Sequence, residues 1–181
     1  MTTAEVLSVV ERAFPFVPRP AEDDLPAHTD GCPHCVMTTR YLTEYTGPNL
    51  PAEAIRWLCD EMSTISPAAT AWVFPSYLRY VLTAEDPRDP RPTAFLIYNL
   101  APAPEHAADI QGRLSVLTAA QVEALLTVVR HLADTPYWAD HYGGELEQAT
   151  AFLEGLSAST PDHPETLTIS RPNLLNECEN P

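Results

Sequence analysis

Lysine is absent from the sequence, so all ten basic residues are arginines, and they stand against 25 acidic residues. The resulting formal net charge of −15 opposes long-range attraction to nucleic-acid phosphates and to anionic lipid surfaces. We therefore expect no direct nucleic-acid binding and no membrane association. The same excess of negative charge suits a basic protein partner.

Long apolar runs are also missing, and no stretch approaches the roughly 20 residues that a membrane-spanning helix needs. The first residues show no basic segment followed by an apolar run, so we expect no signal peptide. Four cysteines without an export signal favour a reducing compartment, where thiols are usually buried, catalytic or metal-bound. These absences predict a cytoplasmic protein.

Glycine is scarce, with six residues in 181, and Gly143-Gly144 is the only adjacent pair. The sequence has no glycine-rich loop that would cradle a phosphate and no Gly-x-Ser-x-Gly motif that would expose a nucleophilic serine. His131 and His141 lie close to acidic residues, but their spacing matches no hydrolytic or metal motif. We predict no catalytic residues and expect a non-catalytic protein.

Strong period-2 alternation and Asn-Gly hairpin turns are missing, whereas helix signals recur along the chain. Thr2 with Glu5 and Thr118 with Gln121 have the spacing of capping boxes. Ser66-Pro67 is typical of a helix start, with serine as the N-cap and proline in the first turn. These signals predict a mainly α-helical fold.

The domain organisation follows from where these signals lie. We predict a single-domain bundle of about six helices over residues 1–156, with a Pro-rich connection at residues 15–31. Residues 157–181 have the composition of a flexible acidic tail. Two of the helices are expected at residues 33–45 and 144–156.

Two helices carry the strongest apolar stripes. One stripe contains Phe74, Leu78 and Leu82, and the other belongs to the helix that begins after Thr118. We expect the two stripes to pack against each other. Pro75 lies inside the first of these helices and should kink or restart it, because proline has no N–H to donate.

The stretch DGCPHC, residues 30–35, carries the most chemistry in the sequence. Zinc sites use thiolates and imidazoles at short spacing, and His28, Cys32 and Cys35 supply three such ligands within eight positions. Cys59 falls on the apolar face of a predicted helix and Cys178 falls in the predicted tail, so neither is a convincing fourth ligand. The spacing predicts a zinc site that uses His28, Cys32 and Cys35.

Two other interpretations of the cysteines stay open. Cys-Pro-His-Cys is also the spelling of thiol oxidoreductases with the thioredoxin fold, and Cys32 would sit at a helix N-terminus that favours its thiolate. That fold places the motif after a buried strand, however, and the preceding AEDDLPAHTDG is acidic and contains proline. The other interpretation, which the lone Cys-x-x-Cys favours, is that both thiols are simply packed, buried or half-exposed, without a ligand.

The middle of the chain resembles a family of small bacterial proteins of unknown function. In that family a His and a Cys-x-x-Cys precede a helical block that reads Leu-Ser-Pro-x-Ala and then Leu-Pro-x-Tyr-Leu. The resemblance covers roughly residues 5–133, with Phe74 in place of a leucine. The matching residues are Ile65, Ser66, Pro67, Ala69, Pro75, Tyr77 and Leu78. The resemblance implies no activity, but it favours a role for Cys32 and Cys35.

Acidic residues concentrate in the last part of the sequence, where nine carboxylates from Asp134 onward stand against one arginine, Arg171. Like charges so concentrated repel one another, and a basic partner would relieve the repulsion. We therefore predict Glu145, Glu147 and Glu154 as partner-binding residues. The leading hypothesis is a non-catalytic acidic binding protein, such as an immunity or antitoxin-like inhibitor of a basic bacterial effector. The alternative is a zinc-stabilised interaction or regulatory module.

Overall fold

The computed structural model describes residues 1–84 and 89–159 of the chain. The described residues form eight α-helices and three short 3-10 turns, and they contain one isolated antiparallel bridge but no strand. The helices are α1 (Thr3–Ala13), α2 (Pro33–Leu42), α3 (Ala52–Leu58), α4 (Pro67–Thr83), α5 (Arg91–Leu100), α6 (Ala107–Leu114), α7 (Ala119–Ala133) and α8 (Pro136–Ser159). The 3-10 turns are Glu22–Asp24, Cys59–Thr64 and Pro104–His106. The predicted mainly helical class is confirmed.

The helix starts follow the signals in the sequence. Both capping boxes form. The hydroxyls of Thr2 and Thr118 accept from the backbone N–H three residues on, and the side-chain oxygens of Glu5 and Gln121 accept from the N–H of Thr2 and Thr118 in turn. The Ser66 hydroxyl likewise accepts from the Ala69 N–H at 3.1 Å. Each cap satisfies backbone donors that the first turn of a helix leaves unpaired.

The predicted number of about six helices is too low. The short helix α6 was missed, because it offers a pattern of just two buried residues, Ile110 and Leu114. α8 begins at Pro136 rather than at the predicted residue 144. Its two helical parts meet at Tyr142, whose backbone is non-helical (φ −136°, ψ 23°), so the helix changes course just before the glycine pair instead of starting there.

Other predicted boundaries also shift. α2 ends at Leu42 rather than at residue 45, and α4 runs through Pro75 without restarting. α8 continues to Ser159, so the first residues assigned to the tail are helical, while residues 160–181 lie outside the described part of the chain. The Pro-rich connection at residues 15–31 contains the turn Glu22–Asp24 and one residue of the isolated bridge.

The core forms where α4 is enclosed by its neighbours. Trp72, Tyr77 and Leu78 are fully buried, and the polar ends of the two aromatic side chains donate to backbone carbonyls. α4 packs mainly against α1, α3 and α6, and Phe14 of α1's C-terminus meets Phe74 edge to face at 6.1 Å. α7 packs mainly against α1 and α8.

This packing corrects the expectation that the stripes of α4 and α7 face each other directly. Both stripes are buried, but α1 packs against both helices and is the main neighbour of α4, whereas α8 is the main neighbour of α7. The buried face of α1 includes Val6 and Val10, which lie one helical turn apart and have no exposed surface. In the described part of the chain, no helix combines the length and the apolar character needed to cross a bilayer.

Truncating either stripe should destabilise the protein strongly. Leu78 and Leu125 have no exposed surface, so replacing either by alanine should lower the free energy of unfolding by about 2–5 kcal/mol, as the deletion of buried leucines does. Val116→Ala is a suitable control, because Val116 is 44% exposed and its loss should change stability by no more than about 0.5 kcal/mol. Denaturant unfolding curves with unchanged slopes give the comparison. A loss below 1 kcal/mol at both leucines would contradict this packing.

Candidate metal centre

The segment before α2 is fixed to the turn before α4 by backbone hydrogen bonds. The N–H of Ala27 donates to the Thr64 carbonyl at 2.8 Å, and the N–H of Ser66 donates to the Leu25 carbonyl at 2.9 Å. These bonds flank the antiparallel bridge between Pro26 and Ile65. They place His28, the next residue along, beside the N-terminus of α2.

A tight turn then brings the two cysteines back toward His28. Gly31 has φ +83°, a left-handed conformation that glycine adopts without strain. Cys32 follows as the N-cap of α2, with Pro33 in the first turn. Cys35 lies one helical turn further on, so both sulfurs face the same side of the helix start.

The turn gathers three potential ligand atoms. One ligand atom each of His28, Cys32 and Cys35 lies within 4.8 Å of the other two. The Nδ1 atom of His28 is 3.3 Å from the Cys35 sulfur. In a tetrahedral zinc site, metal–ligand bonds of about 2.0–2.3 Å place neighbouring ligands roughly 3.5–3.8 Å apart. The three predicted ligands therefore lie close together. Small movements of their side chains would bring the ligand atoms to the distances of a tetrahedral zinc site.

The two thiols differ in exposure and in acidity. Cys32 is partly exposed, and the backbone N–H of Cys35 stabilises its thiolate and lowers the pKa of Cys32. Cys35 is buried, and burial raises its pKa. A divalent metal would favour the deprotonated form of both, because thiolates are the species that coordinate it.

Cys59 does not join this cluster. Cys59 is 1% exposed, its sulfur donates to the Arg56 carbonyl at 3.3 Å, and burial raises its pKa to about 11. It belongs to the core, as its position on an apolar face predicts. Cys178 lies outside the described residues. In the described part of the chain, the metal-ligand group thus has three members, and a fourth position is left for water or another ligand.

A surface cleft of about 1010 Å³ opens beside the cluster. Its walls come from the segment with His28 and Cys32, from the turn Cys59–Thr64 and from α6. Arg113 of α6 is held in this wall by hydrogen bonds to the Met62 carbonyl at 2.9 Å and to Asn99 Oδ1 at 3.2 Å. The cleft gives solvent and small molecules access to the side chains of His28 and Cys32.

His34 takes a separate role in this region. Its Nδ1 lies 3.5 Å from a carboxylate oxygen of Glu61, and its side chain is 68% exposed. Neither residue belongs to the three-ligand group. An ion pair this exposed contributes little to stability.

The three glutamates predicted to bind a partner do not form one continuous patch. Glu147 and Glu154 are seven residues apart and share a face of α8, whereas Glu145 points about 160° away. Glu154 pairs with Arg130 at 2.9 Å, so an arginine neutralises it in a sequence without lysine. Glu147 is exposed, and no cation within the described ranges lies in salt-bridge distance of it.

No family model, curated protein or solved structure matches the chain. The resemblance to a family of small bacterial proteins therefore stays a prediction. The function has to be argued from the residues of this chain.

Two contacts around the site, one of Arg113 and one of Ser66, were not predicted. Arg113 belongs to a helix that the sequence pattern did not reveal. Ser66 was predicted as an N-cap, but its hydroxyl also donates to the Asp24 carbonyl and so holds the segment before His28. No local signal predicts that second bond, because its partners are 42 positions apart in the sequence.

Ser66→Ala should loosen both the start of α4 and the segment that carries His28. We expect the free energy of unfolding to fall by about 0.5–2 kcal/mol, the usual effect of removing an N-cap hydroxyl. Ser66→Thr should keep most of the stability, since threonine also caps helices. Ser63→Ala is the matched control, because Ser63 is exposed on the preceding turn. Equal unfolding midpoints for the Ser66→Ala and Ser63→Ala variants would contradict this role.

Proposed function

We propose that the chain binds zinc through His28, Cys32 and Cys35 and acts as a zinc-stabilised interaction or regulatory module. The observation that carries the proposal is that one potential ligand atom of each residue lies within 4.8 Å of the other two. Spacing in the sequence and geometry in the structure point to the same three residues.

The donor set favours zinc over the common hard cations. Thiolate and imidazole ligands suit zinc and other late transition metals, whereas calcium and magnesium require oxygen ligands. Two thiolates also neutralise the charge of a divalent ion. A neutral site is compatible with the buried position of Cys35.

A bound zinc ion would connect two parts of the chain. His28 ends the segment that is hydrogen-bonded to the turn before α4, and the two cysteines begin α2. Coordination would fix the direction of α2 relative to that segment. Val36 and Met37, in the first half of α2, are 60% and 46% exposed, so the same helix presents apolar surface for an interaction.

Metal analysis tests the ligand set directly. Protein purified without a His-tag should hold about one zinc per chain, as expected for one three-ligand site. Cys32→Ser, Cys35→Ser and His28→Ala should each lose most of the metal. His34→Ala and Cys59→Ala are the matched controls and should keep it, because neither residue belongs to the ligand group.

Zinc should also stabilise the fold. A ligand that binds the folded state at 100 times its dissociation constant adds about 2.7 kcal/mol to the free energy of unfolding, less if the unfolded chain binds it too. Chelation should therefore lower the melting temperature of the wild type and leave that of Cys32→Ser unchanged. Well under one zinc per chain, with no effect of chelation, would overturn the proposal.

A basic protein partner is the second candidate function, and it is favoured by the exposed carboxylate of Glu147 on α8, which no cation among the described residues neutralises. This is the proposal of an immunity or antitoxin-like inhibitor of a basic effector. Because Glu145 lies on the other side of the helix and Glu154 is already paired with Arg130, Glu147 should contribute most to binding.

Electrostatic binding of this kind should weaken as salt rises, mainly through a slower association rate. The test is a pull-down from the native host at low and high salt. It compares the wild type with the Glu147→Gln variant and with a double variant that carries Glu145→Gln and Glu154→Gln. Retention of a basic protein should fall in high salt and fall furthest for Glu147→Gln. Retention that ignores both salt and the substitutions would show that the acidity serves solubility alone.

A further inference from the structure

Cys32 and Cys35 have complementary positions for chemistry with each other. They stand three residues apart across the first turn of α2, and their sulfurs lie within 4.8 Å. Cys32 is partly exposed and lines the surface cleft, whereas Cys35 is 1% exposed and in contact with His28. One sulfur is reachable from solvent and the other lies directly behind it.

We propose that Cys32 and Cys35 form a reversible disulfide by exchange with a small-molecule disulfide such as glutathione disulfide, and that this removes the metal ligands. The metal-release half of the inference rests on the proposed zinc site. The exchange half rests on the two thiols alone and applies equally to the metal-free chain.

The exchange proceeds in two balanced steps. The Cys32 sulfur attacks one sulfur of the small disulfide, which forms a mixed disulfide on Cys32 and releases one thiol. The Cys35 sulfur then attacks Cys32, which forms the Cys32–Cys35 bond and releases the second thiol. The two cysteine thiols are oxidised, the small disulfide is reduced to two thiols, and the two cysteine protons leave with those products.

The order of the two steps follows from access. An incoming disulfide can reach Cys32 from the cleft, whereas Cys35 lines a second, smaller surface pocket but is only 1% exposed and so is far less accessible. Cys35 is therefore the resolving thiol. Cys59 takes part in neither step, because it is buried in the core and donates to the Arg56 carbonyl.

Disulfide formation and metal binding exclude each other. A disulfide brings the sulfurs to about 2.05 Å and leaves no thiolate on either, so a metal would keep His28 as its one remaining ligand. Intracellular disulfides that form and break are typically redox-sensing. Zinc on Cys32 and Cys35 would thus be present in the reduced chain and released from the oxidised one.

The experiment uses the full chain with Cys178→Ser as the common background and Cys59→Ala as a further control. Reduced, zinc-loaded protein is equilibrated with defined ratios of reduced glutathione and glutathione disulfide. Intact mass reports the loss of two hydrogens or the gain of glutathione, peptide mapping locates the bond, and a chromophoric chelator reports released zinc. The background and the Cys59→Ala variant should form the Cys32–Cys35 disulfide and lose zinc in parallel.

Single-cysteine variants test the order of attack. Cys35→Ser should acquire one glutathione on Cys32 that is not resolved. Cys32→Ser should be modified about tenfold more slowly, because reaction follows exposure of the thiol. Equal rates for the two variants would overturn the assigned order and with it the proposal.

The remaining outcomes separate this inference from the proposed function. Protein that holds zinc but stays reduced, or accumulates mixed disulfides without the internal bond, would overturn the inference and leave the zinc site standing. Protein that holds no zinc but forms the Cys32–Cys35 disulfide would support the exchange and overturn the proposed zinc function.

Discussion

The pairing of residues 25–27 with residues 64–66 is the constraint on which the candidate site depends. Two backbone hydrogen bonds and the Ser66 hydroxyl connect a Pro-rich segment to the start of α4, a helix with ten buried residues. The segment makes no sheet and belongs to no helix at this point, so without these bonds His28 would have no fixed position relative to α2. The core thus positions a ligand that is itself exposed.

Charge explains why a metal fits this chain better than two free thiolates. The N–H of Cys35 lowers the pKa of Cys32, but the nearby Asp30 carboxylate opposes that effect, and burial raises the pKa of Cys35. Two uncompensated thiolates would add further negative charge to a protein that already carries −15. Bound zinc would cancel both charges, so coordination would add no repulsion, while oxidation to a disulfide would remove the charges by another route.

The sequence allowed the local features of the site to be predicted, but not its surroundings. Histidine and cysteine spacing is encoded within eight positions, and the capping boxes of α1 and α7 within four, so both could be inferred without a structure. The bond from Ser66 to Asp24 and the approach of Arg113 to Met62 join residues 42 and 51 positions apart. Such contacts depend on the packing of whole helices, which local patterns in the sequence do not reveal. The same reason explains why α1, rather than α7, became the main neighbour of α4.

The start of α2 differs physically from the starts of α1, α4 and α7. Those helices begin with a threonine or serine whose oxygen caps the first turn, whereas α2 begins with Cys32, whose sulfur offers the Cys35 N–H a weaker acceptor than an oxygen. α2 is ten residues long and buries Cys35, Thr38 and Leu42, so it has little apolar contact to offset its nucleation cost. A metal held by the N-cap residue and by the residue one turn later would hold that first turn closed. A cysteine at this N-cap caps the helix more weakly than an oxygen would, and a bound ion would compensate for the difference.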